Sequence, residues 1–154
     1  MRRHIYVGNR EAGHGTGILV TVREEGVPGS LAPLPVRLDV RKHSPTGFEW
    51  GYEGSGPAQL ALALCLHVLE TEGAPWWRER ALHCYQDVKR LLIAPVQDNQ
   101  WQFTSDDVRW AIRDAEQERP LEMVQCDRHA RTHPSRALCP ECLREEQEEE
   151  ERLS

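Results

Sequence analysis

The sequence has no long apolar run, and this excludes a membrane-spanning helix. Its most apolar segment, residues 60–69, is interrupted by His67 and is far shorter than the about 20 residues that cross a bilayer. The first ten residues, MRRHIYVGNR, contain charges but no apolar core, so they are not a secretory signal. We therefore expect a cytoplasmic protein with no membrane attachment.

The chain also lacks an excess of basic residues. Its 19 Lys and Arg are outnumbered by 25 Asp and Glu, which gives a formal net charge of −6. Much of this acidity lies near the end of the chain, in REEQEEEERLS. Tight binding of duplex nucleic acid depends on a basic surface and counterion release, so duplex nucleic acid is not an expected partner.

Strand patterns fill the first third of the sequence. The β-branched runs 4–8 and 17–24 flank a polar loop and predict a hairpin. Residues 35–41 alternate apolar and polar side chains, which predicts a third strand, and residues 48–52 alternate in the same way. Together these segments predict an antiparallel β-meander.

Helix patterns follow. Residues 55–69 are apolar on almost every side and predict a central buried helix. Helical spacing of apolar residues predicts a second helix over 77–94. Thr104 and Asp107 form a capping-box pattern that begins a third helix, which Pro120 closes. We therefore predict an α+β domain over 1–120, a β-meander packed on about three helices, followed by a separate appendage over 121–154.

The appendage carries the strongest chemical pattern in the sequence. Cys126 and His129 form a C-x2-H pair, and Cys139 and Cys142 form a C-x2-C pair shortly after it. Two such pairs can close a tetrahedral Cys3His site around one ion, and full occupation by protein ligands indicates structural Zn²⁺. The appendage is too short and polar for an apolar core, so the metal would supply its folding energy. The pattern predicts a treble-clef-like or zinc-ribbon-like finger.

Three alternatives accompany this metal prediction. His133 could replace His129 as the fourth ligand, and the segment could instead be a disordered tail with incidental cysteines. The arginines between the two ligand pairs could meet phosphate, but the acidic run after Cys142, which predicts a C-terminal helix, weakens that interpretation. We therefore favour a finger that contacts a protein partner.

The stretch HSPTGFEWGYEGSGPAQLALALC, residues 43–65, places a Gly-rich, aromatic loop directly before the apolar helix. It lacks the Gly-Lys-Ser/Thr of a P-loop, and Gln59 occupies the position of the third glycine in a dinucleotide fingerprint. Free backbone N–H groups at the start of a helix can still bind an anion. The candidate ligand-binding residues are His43, Ser44, Thr46, Glu49, Trp50, Tyr52, Gly54, Ser55, Gly56 and Gln59.

Three interpretations of this loop remain open. It could bind a nucleotide-like or other anionic ligand, with aromatic side chains stacking on a base. It could be a small hydrolase or transferase site for a phosphorylated or ribosylated substrate, with His43 and Glu49 or Glu53 as acid and base. It could also be a packing joint, in which the aromatic residues cover the helix and the glycines permit close approach.

The same stretch resembles the signature of a family of small bacterial and phage proteins of unknown function, HSPTGFEWGY-x-GSGPAQLALA, with Glu53 at the variable position. The resemblance extends more loosely over residues 5–119 and leaves out the appendage. It implies one compact domain and a phage or mobile-element setting, but no activity.

From the residues we expect a zinc-binding, non-enzymatic protein that binds a ligand or a partner. The alternatives are the small hydrolase or transferase and a pure interaction adaptor.

Overall fold

The computed structural model describes residues 2–11, 18–137 and 139–154. Two compact units divide the chain, Met1–Arg119 (the N-terminal unit) and Pro120–Ser154 (the C-terminal unit). The elements of the first are β1 (His4–Asn9), β2 (Leu19–Glu24), β3 (Ala32–Pro33), α1 (Ser55–Thr71), α2 (Trp77–Val88), a π-helical segment (Lys89–Ile93), β4 (Gln100–Thr104) and α3 (Ser105–Glu118). Those of the second are β5 (Met123–Gln125), β6 (Thr132–Pro134) and α4 (Pro140–Leu153). Within the described ranges, no helix is both long enough and apolar enough to cross a membrane.

The predicted α+β class with an antiparallel sheet is confirmed. Strands in the N-terminal unit follow the order β3-β2-β1-β4, and every neighbouring pair is antiparallel. Tyr6 of β1 lies opposite Val22 on one side and Phe103 on the other. Strands β1 and β2 pair as the predicted hairpin, whose loop includes residues 12–17 outside the described ranges. Strand β3 extends the sheet but lies at residues 32–33, and not at the predicted 35–41 or 48–52. Strand β4 follows the π-helical segment and precedes α3, and it was not predicted.

The strand predicted at residues 35–41 is wrong. Arg37 has a φ of 61°, in the left-handed region that no strand residue adopts, and Val40 N–H donates to the Arg37 carbonyl in a turn. The short strand β3 precedes this segment and pairs with β2 instead. Val36 and Val40 still pack against the core, but Leu38 between them is exposed, so the alternation reflects partial burial and not strand geometry.

The strand predicted at residues 48–52 is also wrong. Phe48 and Trp50 are buried as the pattern required, but Gly51 has a φ of 87° and turns the chain. Side chains satisfy the backbone here, because Glu49 accepts from the Trp50 N–H and Arg10 donates to the Trp50 carbonyl. Such hydrogen bonds replace the strand ladder that the alternation suggested.

Helix α1 is the centre of the core, as its composition predicted. It begins at Ser55, with Pro57 in the first turn where the missing N–H has no helical partner to lose. Side chains from every side of the helix are buried: Leu60, Leu62, Leu64 and Leu66 are all fully enclosed.

The other two predicted helices are present, with one change of geometry. The predicted second helix is α-helical only to Val88, and Lys89–Ile93 continues it as a π-helix. Helix α3 has the predicted capping box, in which the Thr104 hydroxyl accepts from the Asp107 N–H and the Asp107 carboxylate accepts from the Thr104 N–H.

His67 is a polar group on the apolar helix α1. Its Nδ1 lies 2.8 Å from the buried Tyr6 hydroxyl, which can donate to a neutral imidazole. Burial, reinforced by the nearby His4, lowers the pKa of His67 to about 4. Burial also raises the pKa of Tyr6 well above its usual value, which keeps its proton available for this bond.

We expect His67 to make the N-terminal unit acid-sensitive. Below its ordinary pKa of 6.5, the unfolded chain protonates His67 while the folded chain does not until about pH 4. Stability therefore falls as the pH drops from 6.5 to 4, by about 2 kcal/mol after allowance for partial exposure. Urea unfolding at pH 7 and pH 4.5 should show a smaller pH dependence for His67→Gln than for the wild type. An unchanged pH dependence would contradict this assignment.

Candidate metal centre and Gly-rich loop

The four predicted metal ligands come together in the C-terminal unit. Cys126 and His129 lie in the turn after β5, Cys139 is the N-cap of α4, and Cys142 lies in the first turn of that helix. The turn is tight, with the Cys126 N–H donating to the Arg131 carbonyl at 2.8 Å. One ligand atom from each of the four lies within 4.8 Å of the others, so the cluster could hold a metal ion.

Four of the six distances between the ligand atoms match the edges of a tetrahedron. Zinc–sulfur bonds of about 2.3 Å and zinc–nitrogen bonds of about 2.0–2.1 Å give S···S edges of about 3.8 Å and S···N edges of about 3.6 Å. The Sγ atoms of Cys126 and Cys142 are 3.8 Å apart. His129 Nδ1 lies 3.6 Å from each of these sulfurs and 3.8 Å from Cys139 Sγ. The four atoms therefore fit one ion.

The electrostatics of the cluster also favour a cation. Desolvation and the neighbouring thiols of Cys126 and Cys139 raise the pKa of Cys142 to about 11. At Cys126, desolvation is outweighed by hydrogen bonds, including those from the backbone of Arg128 and His129, which lower the pKa of this thiol. Three sulfurs this close resist simultaneous ionisation, because each thiolate repels the next. A divalent cation removes that penalty, since thiolates are the metal-binding form.

Two further histidine contacts distinguish the candidate ligands. His133 lies on β6, with its Nδ1 3.0 Å from the Pro134 carbonyl oxygen, and is not part of the cluster. His129 presents its other nitrogen, Nε2, to Glu145 Oε1 at 3.2 Å. Sequence reasoning missed Glu145, although its position three residues after Cys142 in a predicted helix places both on one face.

Acidic residues pair with two of the arginines between the ligand pairs. Arg128 contacts Glu145, and Arg131 Nε lies 2.8 Å from Glu141 Oε1. These pairs neutralise the charge of two of the three arginines, which weakens the attraction for phosphate.

In the N-terminal unit, the buried side chain of Gln59 organises the Gly-rich loop. Its Oε1 accepts from the His43 N–H at 2.8 Å and the Ser44 N–H at 3.3 Å. Its Nε2 donates to the carbonyls of Val36 and Arg41 at 2.7 and 3.1 Å. Both amide atoms are thus occupied by backbone groups, and Gln59 is 0% exposed.

Trp50 is equally enclosed, at 0% exposure. Its Nε1 donates to the Asp98 carbonyl at 2.9 Å, and the Arg10 guanidinium lies 4.5 Å from the ring centroid. Trp50 thus packs in the core, as the packing-joint interpretation requires.

Close approach explains two of the glycines. A Cβ on Gly56 would lie 2.5 Å from Glu49 Cβ, so the loop can contact the start of α1 only if residue 56 has no side chain. A Cβ on Gly51 would lie 2.7 Å from the Val96 carbonyl oxygen, and its φ of 87° favours glycine in any case.

The proposed acid and base have separate partners. His43 Nε2 lies 2.7 Å from the Tyr85 hydroxyl, while Glu49 Oε1 accepts from Arg10 at 2.7 Å. Burial and the positive charges of Arg41 and Lys89 lower the pKa of His43. Glu53 is exposed. No described hydrogen bond joins His43 to either carboxylate.

A shallow cleft of about 330 Å³ opens at the start of α1. Six of the predicted ligand-binding residues line it, whereas His43, Trp50, Gly54 and Gln59 do not. Ile18, Gly47 and Phe48 complete the lining. The lining residues predicted from the sequence are Ser44, Thr46, Glu49, Tyr52, Ser55 and Gly56.

Fold and site define an α+β domain followed by a small unit with a Cys3His cluster that could hold a metal ion. Residues 6–114 match a family of unknown function, DUF6166, and the chain belongs to that family. The expected membership of an uncharacterised domain family is therefore confirmed, and the match ends before the metal cluster. Neither curated proteins nor solved structures gave a match.

We expect Gln59→Leu to destabilise the N-terminal unit by about 3 kcal/mol or more. Leucine has a similar size but leaves two N–H groups and two carbonyls without their partner. Urea unfolding followed by tryptophan fluorescence measures the loss. The control is Gln117→Leu, on the exposed side of α3, which should shift stability by no more than about 0.5 kcal/mol. Equal effects of the two changes would refute the assigned role of Gln59.

Proposed function

We propose that the protein is a non-enzymatic zinc protein whose C-terminal unit is folded by the metal and contacts a protein partner. The observation that carries the proposal is the near-tetrahedral arrangement of three sulfurs and one imidazole nitrogen. Such a soft set of sulfur and nitrogen ligands favours Zn²⁺ over Ca²⁺ or Mg²⁺, which bind through oxygen. Four protein ligands leave no open coordination position, so the role is structural.

The composition of the C-terminal unit supports metal-dependent folding. No residue of α4, which is described in full, is buried. Among the described residues of the unit, only Pro134 and Cys139 are buried. Because burial this small cannot offset the loss of chain entropy, the metal supplies the missing free energy. A hairpin turn and a helix start supply the two ligand pairs, which favours the treble-clef-like form over the zinc ribbon.

Partner binding is the role that this unit fits best. The paired arginines described above give it no strong attraction for nucleic acid phosphates. Its helix is exposed from Leu143 onward and half of its 14 residues are glutamates, which suits a protein surface with basic residues. The resemblance to bacterial and phage proteins suggests a setting in which such a protein blocks a defence factor.

We expect about one zinc per chain in the purified full-length protein, measured by elemental analysis. Replacing Cys139 and Cys142 together by Ser should abolish zinc binding, because it removes two of the four ligands. Cys84→Ala serves as the control, since Cys84 is buried in the N-terminal unit and should leave the zinc content unchanged. Chelation should make residues 120–154 protease-sensitive while the N-terminal unit stays resistant. Protein without zinc, or zinc retained by the double variant, would refute the proposal.

The cleft beside α1 favours a second function, the binding of a nucleotide-like or other anionic ligand. Three residues with hydroxyl groups, Ser44, Thr46 and Ser55, line it together with the half-exposed Tyr52. Hydroxyls and the helix start could hold a phosphate, and the ring could stack on a base. In a phage setting the ligand would be a signalling nucleotide that the protein sequesters. Because His43 and Glu49 bind separate partners, we propose binding and not hydrolysis at this cleft.

We expect Ser55→Asp to weaken binding of an anionic ligand by at least about 10-fold while preserving the fold. A carboxylate in the first turn of α1 favours the helix by about 0.3–1 kcal/mol but repels an anion. Thermal-shift screening against a nucleotide panel, followed by calorimetry of any hit, measures both effects. Gln147→Glu adds the same charge on α4 and should not weaken binding. The absence of any hit, or equal binding by Ser55→Asp, would refute this function.

A further inference from the structure

The two nitrogens of His129 face different chemical groups. Nδ1 lies 3.6 Å from the sulfurs of Cys126 and Cys142, while Nε2 lies 3.2 Å from Glu145 Oε1. A neutral imidazole has one N–H, and a carboxylate can only accept a hydrogen bond. The hydrogen therefore belongs on Nε2, which leaves the Nδ1 lone pair directed at the sulfurs.

We propose that Glu145 is a positioning residue of the metal centre: its carboxylate holds His129 in the Nε2–H tautomer and so selects Nδ1 as the metal ligand. This inference rests on the metal binding proposed above. Histidines that bind metal ions usually donate their second N–H to a carboxylate or carbonyl, which fixes the ring and strengthens the ligand. Glu145 is the described residue in that position.

Helix geometry explains why position 145 can serve this purpose. Residues three apart lie on one face of a helix, so α4 directs Cys142 at the cluster and Glu145 at the back of the imidazole. One helical turn thus supplies a ligand and also the group that orients another ligand.

Arg128 completes the arrangement. It contacts the second carboxylate oxygen, Oε2, and it immediately precedes His129 in the turn after β5. The carboxylate is therefore held from two sides, which restricts its rotation. Arg128 also offsets its charge, which matters because three thiolates around Zn²⁺ already carry a net charge of −1.

The test is the zinc affinity of the full-length protein, measured by competition with a chromophoric chelator. Glu145→Ala should weaken zinc binding by about 10- to 100-fold. Glu145→Gln keeps an oxygen that accepts from Nε2 and should recover part of the loss. Glu146→Ala removes the same charge from the neighbouring exposed position and should match the wild type.

Two spectroscopic measurements separate positioning from general damage to the fold. Nitrogen-15 NMR of the zinc-loaded wild type should show His129 protonated at Nε2 and coordinated through Nδ1, with faster exchange of the Nε2 hydrogen in Glu145→Ala. The Co²⁺-substituted forms of both should keep the same thiolate charge-transfer bands, since the ligands are unchanged.

The outcomes distinguish this inference from the metal proposal itself. Wild-type protein that binds zinc through its cysteines, but is matched in affinity by Glu145→Ala, overturns the role of Glu145 alone. Coordination through Nε2, or equal weakening by Glu146→Ala, has the same consequence. Failure of the wild type to bind zinc overturns both proposals.

Discussion

The buried amide of Gln59 is the constraint on which the N-terminal unit depends. A polar group enclosed by an apolar helix must have all its hydrogen bonds satisfied, and the described groups that satisfy them belong to the backbone of residues 36–44. That requirement removes this backbone from the sheet and fixes its irregular path over α1. The loop path in turn places Ser44 and Thr46 at the cleft.

The C-terminal unit differs from the N-terminal unit in how its fold is stabilised. It has almost no apolar interior among its described residues, so the convergence of sulfur and nitrogen atoms replaces hydrophobic burial as the source of its order. Its ion pairs lie at the surface and contribute little by themselves. The two parts of the chain therefore differ in their expected response to solution conditions, one sensitive to denaturant and acid, the other to chelators.

Features encoded locally could be predicted from the sequence, and features encoded by distant contacts could not. The capping box of Thr104 and the ligand pairs around Cys126 and Cys139 depend on residues a few positions apart. Strand β4 was missed because its partner β1 lies far earlier in the chain. Residues 35–41 and 48–52 were assigned to strands because apolar and polar residues alternate there. Part of each alternation reflects burial, of Val36 and Val40 and of Phe48 and Trp50, on a backbone that is not a strand. The contact of Glu145 with His129 could not be predicted, because it depends on which histidine nitrogen faces the sulfurs.

In the π-helical segment Lys89–Ile93, the number of residues matters more for the fold than their identity. Its wide turn, closed by the Ala94 N–H donating to the Lys89 carbonyl, directs the Ile93 carbonyl to the Gly51 N–H at 3.1 Å. Loss of one residue would restore an ordinary α-helical turn and rotate everything beyond it by about 100°. The segment is thus a spacer that accommodates substitutions of its exposed side chains but not insertions or deletions.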